Sequence, residues 1–193
     1  MRVIAGTYRS RSLVAPRGAA TRPTSDRLRE TLFNILAPRV QGCRFADLYA
    51  GTGAVGIEAL SRGAAHVWFA ERAVPALAAI RANLKALQIM QGFTVEARSA
   101  GALLERMLRP AKTGVVAESL DLVFLDPPWD ATAEYAATLD LLGSSRGSAI
   151  LIPSALVIAE HSSKLPLAHR YGALAQTRTL KQGDAALSFF AVN

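Results

Sequence analysis

The chain opens with loosely alternating apolar and polar positions. Val3-Ile4-Ala5-Gly6, followed by Arg9-Ser10-Arg11-Ser12-Leu13-Val14, predicts a β-hairpin around a glycine. Residues 16–23, bounded by two prolines, read as a loop. Pro23-Thr24-Ser25-Asp26 carries helix-start chemistry, because short polar side chains accept the N–H groups left over in a first helical turn. Leu28, Leu32, Ile35 and Leu36 then recur at the spacing of one buried helical stripe, and Pro38 and Gly42 are expected to end the helix.

From Cys43 the pattern changes to short apolar runs separated by amphipathic stretches. The runs at 43–49, 67–71, 94–97, 120–125 and 156–160 predict strands, and helical spacing occurs at 54–62, 74–87, 100–109 and 132–142. A helix in each gap implies an α/β, doubly wound parallel sheet covered on both faces. The end differs: 175–181 and 185–192, joined through Gly183-Asp184, predict an antiparallel hairpin. No internal repeat is present.

Composition narrows the classes. With 193 residues, 51% of them hydrophobic, and a mean hydropathy of +0.22, the chain suits one folded domain rather than a disordered segment. Its single cysteine, Cys43, excludes a disulfide scaffold and fits a reducing, cytoplasmic setting. Met1 to Arg11 mixes charge with apolar residues, and the apolar run 149–159 is broken by Pro153, so neither a signal peptide nor a membrane span is expected.

The net charge is +7, and its distribution matters more than its size. Residues 1–39 hold Arg2, Arg9, Arg11, Arg17, Arg22, Arg27, Arg29 and Arg39 against Asp26 and Glu30, a net +6 of that total. Such a concentration points to a phosphate-binding arm for a polyanion. The expected organisation is therefore a basic extension at 1–39 and a main domain at 40–193.

Asp47-Leu48-Tyr49-Ala50-Gly51-Thr52-Gly53-Ala54-Val55-Gly56 follows a predicted strand and opens a predicted helix. Gly51, Gly53 and Gly56 satisfy G-x-G-x-x-G, and Glu71 ends the next strand, where an acid can take a ribose. A nucleoside ligand is indicated. A dinucleotide would place a pyrophosphate on the helix N-terminus. Asp47, four residues before the first glycine, better suits the cationic amino-acid end of S-adenosylmethionine.

The run 120–125 leads into Asp126-Pro127-Pro128-Trp129. Two prolines stiffen the turn and remove two N–H donors, leaving outward oxygen acceptors. That suits a nucleobase exocyclic amine, a poor nucleophile because its lone pair is delocalised into the ring. Acceptance of its N–H bonds by the Asp126 carboxylate and the Pro127 carbonyl favours a pyramidal, nucleophilic nitrogen. Trp129 offers a stacking face worth roughly 1–3 kcal/mol per base. An ordinary strand-ending turn is the simpler alternative.

The glycine loop, continuing through Ile57-Glu58-Ala59-Leu60-Ser61-Arg62-Gly63-Ala64, and Asp126-Pro-Pro-Trp resemble motifs I and IV of class I methyltransferases acting on exocyclic amines. The opening Met-Arg-Val-Ile-Ala-Gly and Arg22-Pro-Thr-Ser-Asp-Arg-Leu-Arg-Glu-Thr-Leu-Phe-Asn-Ile-Leu resemble the N-terminal signature of the RsmD family. The resemblance runs from residue 1 to about Phe190. It implies a bacterial 16S rRNA guanine-N2 methyltransferase of the small ribosomal subunit, with a Rossmann-like seven-stranded sheet, a reversed final hairpin, and an N-terminal hairpin and helix engaging RNA.

On this reading Asp47, Tyr49, Gly51, Gly53 and Glu71 hold S-adenosylmethionine; Asp126, Pro127 and Trp129 hold the guanine. Arg2, Arg9, Arg11, Arg17, Arg22, Arg27 and Arg29 contact RNA. Family members usually carry an acidic or amide residue beside the adenine, where this chain has Arg98-Ser99-Ala100, so backbone groups at Ser99 and Ala100 take that role. Gln182-Gly183-Asp184-Ala185 stands where the family has Tyr-Gly-Asp-Thr. His66, His161 and His169 are scattered, and no metal site is expected.

Three rival readings share parts of this pattern. A methyltransferase on adenine-N6 of DNA normally needs a recognition region after Trp129, and one on a protein glutamine amide usually has Asn at position 126. A nicotinamide-dependent oxidoreductase gives Asp126-Pro-Pro-Trp no purpose. A non-catalytic RNA-binding assembly factor has no need of an intact cofactor loop.

Overall fold

The computed structural model describes residues 1–15, 24–109 and 119–193. The chain divides into two compact units, Met1–Arg98 and Ser99–Asn193.

The first unit contains α1 (Asp26–Val40), β1 (Arg44–Leu48), α2 (Ala54–Ser61), β2 (His66–Glu71), α3 (Val74–Ala86) and β3 (Phe93–Ala97). Its strands lie in the order β3-β2-β1 and are all parallel, as strand–helix alternation requires. Ser25 caps α1, its hydroxyl accepting the Leu28 N–H at 3.1 Å. Leu28, Leu32, Phe33, Leu36 and Val40 form the buried face. Phe33, stacked on Phe45, takes the place expected of Ile35, which is half-buried.

Two expectations at this end are corrected. The helix runs through Pro38 to Val40: a proline in the last turn forfeits one ladder bond without unwinding the two residues beyond it. The predicted hairpin at 3–14 is irregular: its arms meet antiparallel at a bridge between Arg2 and Ser12, with the Val3 N–H on the Arg11 carbonyl, the Ser10 N–H on the Val3 carbonyl and the Leu13 N–H on the Met1 carbonyl, and neither arm extends into a strand. Left-handed backbone at Gly6 and Ser10 bends the segment away from a regular ladder. The N–H groups of Ile4, Ala5, Tyr8 and Val14, which no ladder takes up, pair with side chains of α2 and α3.

The second unit contains α4 (Ala100–Met107), β4 (Leu120–Leu125), α5 (Thr132–Gly143), a 3-10 turn at Gly147–Ile150, β5 (Leu151–Ser162), β6 (Arg170–Tyr171), β7 (Leu174–Gln182) and β8 (Ala185–Val192). The strand order is β4-β5-β8-β7-β6, with β4 and β5 parallel and the remaining pairs antiparallel. The final hairpin thus inserts β8 between β5 and β7, and β8 is buried through Phe190 because both its neighbours and both its faces are covered.

The described residues carry three strands in the first unit and five in the second, one more than the seven expected. The addition is β6, two residues long and below the reach of a periodicity argument. β5 also starts five residues before its expected onset. Its register against β4 shifts between Leu120 and Leu122, an irregularity that accommodates Pro153 within the strand.

Candidate active site

Two loops, each leaving the carboxyl end of a parallel strand of its own unit, carry the predicted chemistry. In the first unit β1 ends at Leu48 and the chain turns sharply: Tyr49 has φ 63°, and Gly51 and Gly53 have φ 55° and 75°. A tyrosine held in the left-handed region costs about 1–3 kcal/mol, a strain typical of functional turns. Gly53 is the N-cap of α2. A Cβ on Gly56 would lie 2.3 Å from the Phe69 ring, so this glycine is what lets α2 pack against β2.

Two carboxyl groups brace the loop from beneath. Asp47, 2% exposed, accepts the Gly56 N–H at 2.8 Å. Burial raises its pKa to about 8; the Gly56 hydrogen bond opposes the rise, and the charge of Glu71 adds to it. Glu71, at the end of β2, accepts the Gly51 N–H at 2.9 Å on one oxygen. Its other oxygen takes the N–H groups of Arg72 and Ala73, both at 2.7 Å.

The N-terminal segment is fastened to the helix behind this loop. Glu58, fully buried in α2, accepts the N–H groups of Ile4 and Ala5 at 2.7 and 3.0 Å, and Arg62 Nε at 2.7 Å. Ser61 Oγ donates to the Ala5 carbonyl and accepts the Tyr8 N–H. Gly6 is obligatory here, since a Cβ would sit 1.9 Å from the Ser61 carbonyl oxygen. Asn83 of α3, also buried, binds both main-chain groups of Val14 and donates to the Thr52 carbonyl within the glycine loop. A shallow depression lined by Tyr8, Leu60, His66 and Gln91 lies at the amino end of β2, away from the glycine loop.

In the second unit, β4 leads directly into Asp126-Pro127-Pro128-Trp129. Asp126 and Trp129 are half-buried, Pro127 is buried and Pro128 exposed. The Ala131 N–H donates to the Pro128 carbonyl at 2.8 Å, and the Tyr135 hydroxyl of α5 to the Pro127 carbonyl at 3.3 Å.

The sequence model of the family described as conserved hypothetical protein 95 matches residues 1–191. The Bacillus subtilis protein YlbH is 35% identical over 193 residues, covering 98% of each chain. Ribosomal RNA small subunit methyltransferase D of Haemophilus influenzae is 34% identical, over 86% of this chain and 81% of its own. Among solved structures, the Escherichia coli protein yhhF superposes with a TM-score of 0.82 at 30% identity, over 100% of this chain and 98% of that one. A Thermus thermophilus protein gives 0.80 at 26%, over 100% and 99%. The chain belongs to the RsmD family.

RsmD proteins are class I S-adenosylmethionine-dependent methyltransferases, and the parallel strands with a reversed C-terminal hairpin are that fold. The glycine loop fits the family's cofactor. A Cβ on Gly51 would meet nothing within 4 Å, so the loop opens on that side, and Oε2 of Glu71, which among the described residues takes only the Gly51 N–H, has an acceptor site suited to a ribose hydroxyl. Asp47 is a carboxyl group of the kind that suits an ammonium group.

The structure brings Asp47, Tyr49, Gly51, Gly53 and Glu71 together in one loop system. Ser99 is exposed and its hydroxyl accepts the Ala102 N–H at 3.3 Å, capping α4, while Ala100 is buried. Arg2, Arg9, Arg11 and Arg27 are exposed; Arg17 and Arg22 lie outside the described residues.

Arg29 is corrected. Its side chain is fully buried, paired with Asp26 at 2.9 Å and lying 3.9 Å from Glu58, and it donates to the carbonyls of Arg2 and Thr24. A guanidinium so enclosed organises the arm from within and presents nothing to a phosphate. Glu58, Asn83 and Tyr135 escaped the sequence reading. An acid inside the apolar stretch of α2 was a legible signal for Glu58; the other two resembled ordinary helix residues. Among the described residues no helix is long and apolar enough to cross a membrane.

Proposed function

We propose that this protein methylates the exocyclic N2 amine of a guanine in 16S rRNA of the small ribosomal subunit. The observation that carries the reading is the Asp126-Pro127-Pro128-Trp129 turn at the carboxyl end of β4, in a chain whose β1 turn is built for a nucleoside. The name of the Haemophilus influenzae relative supports rRNA of the small subunit as substrate.

S-adenosylmethionine, when bound, supplies a methyl group on a sulfonium and departs as the neutral thioether. The chain's part is binding, orientation and proton handling. Glu71 takes a ribose hydroxyl, Asp47 the ammonium group, and main-chain groups near Ser99 and Ala100 the adenine. Trp129 stacks on the guanine, which must leave its helix to reach it. The Asp126 carboxylate and the Pro127 carbonyl each accept one N–H of the amine, turning its lone pair towards the methyl carbon. Transfer would leave the amine with a surplus proton, which Asp126 is placed to accept and pass to water. Positioning and charge placement supply the acceleration, with no nucleophile on the protein. Residues 1–39 serve as the RNA-binding extension through Arg2, Arg9, Arg11, Arg17, Arg22 and Arg27, in the cytoplasm where the subunit is assembled.

The test is incubation with labelled S-adenosylmethionine and small subunits or 16S rRNA lacking the modification, followed by nucleoside mass analysis. N2-methylguanosine is expected. Label on adenosine, on protein or nowhere overturns the reading. A thermal shift with the demethylated cofactor, and none with NAD or NADP, is the accompanying result for the glycine loop; stabilisation by a nicotinamide cofactor alone overturns that assignment.

A further inference from the structure

Prolines at 127 and 128 leave the turn after β4 with no main-chain N–H at either position, so the chain there can be fastened through its carbonyl oxygens. Both of those oxygens are engaged by the start of α5. The Pro128 carbonyl takes the N–H of Ala131, the residue capping α5. The Pro127 carbonyl takes the hydroxyl of Tyr135, one turn further along the helix, and Tyr135 is 1% exposed.

The tyrosine is itself firmly mounted. Its ring meets the edge of His161 on β5, with centroids 6.3 Å apart and planes at 80°. His161 Nδ1 donates to the Ser162 carbonyl at 2.9 Å, which leaves Nε2 of the neutral ring to accept from the Ser188 hydroxyl on β8 at 2.8 Å. Ser188 Oγ accepts in turn from Gln176 on β7. A chain of oriented contacts therefore extends from three strands of the second unit to one carbonyl oxygen.

From this arrangement we infer that Tyr135 is a positioning residue for methyl transfer, setting the direction in which the Pro127 carbonyl accepts the substrate amine. The inference rests on the proposed guanine-N2 methylation. A carbonyl oxygen has two acceptor sites. With the Tyr135 hydroxyl on one, the carbonyl plane is held and the other is left for the amine N–H. An oxygen aimed in advance costs no reorganisation as the nitrogen pyramidalises, so the benefit falls on the transition state rather than on cofactor binding. The burial of a tyrosine where phenylalanine would fill the same space thereby has a catalytic reason.

Tyr135→Phe keeps the ring and its edge contact with His161 and removes the hydroxyl that donates to the Pro127 carbonyl. Parent, Asp126→Ala and Tyr135→Phe proteins would be compared for single-turnover methyl transfer to small-subunit rRNA at saturating cofactor and RNA, for affinity towards the demethylated cofactor, and for Tm. For Tyr135→Phe the expected rate is about 5–30-fold lower, with cofactor affinity within about twofold of the parent and Tm within a few degrees. An unchanged rate at saturation overturns the inference. Equally, a parallel loss of rate, cofactor affinity and Tm assigns Tyr135 to packing alone. The functional reading has its own readout: a parent protein that leaves guanine unmethylated, or an Asp126→Ala protein as fast as the parent, refutes that reading whatever Tyr135→Phe does.

Discussion

The Gly56 N–H, in the first turn of α2, is held at 2.8 Å by Asp47, a carboxyl group buried beneath the glycine loop. The same burial lifts the pKa of Asp47 from 3.8 to about 8. In the ligand-free protein Asp47 therefore keeps its proton at neutral pH, whereas a cofactor ammonium group favours the ionised form. Affinity for S-adenosylmethionine is expected to rise between pH 6 and pH 7.5, by at most about tenfold per unit where coupling is complete. Stability of the ligand-free protein should move the other way. The unfolded chain releases this proton near pH 4 while the folded one retains it, so stability declines from there towards pH 8. Calorimetric titration of Asp47→Asn alongside the parent checks both: the variant should lose the Asp47 share of each pH dependence.

Asp126→Ala should fold, bind cofactor with near-parental affinity, and transfer methyl groups about 10²–10³-fold more slowly, the usual consequence of removing one preorganised electrostatic partner. Asp126 is half-buried in a loop, so its truncation leaves no large cavity. Single-turnover transfer under saturating cofactor is the measurement. Asp126→Asn should be less impaired, since the amide oxygen still accepts a hydrogen bond without carrying charge. Near-parental turnover by Asp126→Ala would place the chemistry elsewhere.

Neutralising the exposed Arg9, Arg11 and Arg27 should weaken rRNA binding and flatten its salt dependence, by roughly 0.7–0.9 in log–log slope for each phosphate no longer neutralised. Cofactor affinity should hold. Binding isotherms at several salt concentrations decide the matter, and an unchanged slope would reduce these arginines to ordinary surface charge.

Arg29 should behave differently from its neighbours. Arg29→Ala removes the guanidinium beside a fully buried Glu58 and strips the Arg2 and Thr24 carbonyls of a donor. Glu58 keeps Arg62 and two main-chain N–H donors, so the loss comes from the space emptied by a fully buried side chain and from carbonyls left without their donor, about 2–5 kcal/mol in denaturant unfolding. A surface arginine would show almost none.

Local pattern was sufficient for the elements that frame both loops. β4 occupies 120–125 as its unbroken apolar run requires, α2 begins at Ala54 directly after Gly53, and the glycine spacing marked the turn between β1 and α2. These features depend on neighbours within a turn or two of chain, where backbone propensity and periodicity act. The sequence by itself also established the family motifs, the concentration of charge in residues 1–39 and the reversed hairpin at the end. Only the tertiary structure could decide what each polar side chain faces. Arg29 lies on the same helix as Arg27, yet one is enclosed and the other exposed, because Glu58 comes to lie beneath α1 only after folding. The N-terminal residues alternate as a hairpin should and pair across Arg2 and Ser12, but Glu58 and Ser61 capture the N–H groups of Ile4, Ala5 and Tyr8, so the pairing does not grow into a ladder. Tyr135 had no distinguishing neighbour in sequence, and its role comes from a hydroxyl meeting a carbonyl that two prolines had already deprived of nearby donors. Burial turns such meetings into obligations, since a polar group removed from water must find a partner, and the partner's place in the chain is set by packing rather than by proximity in sequence.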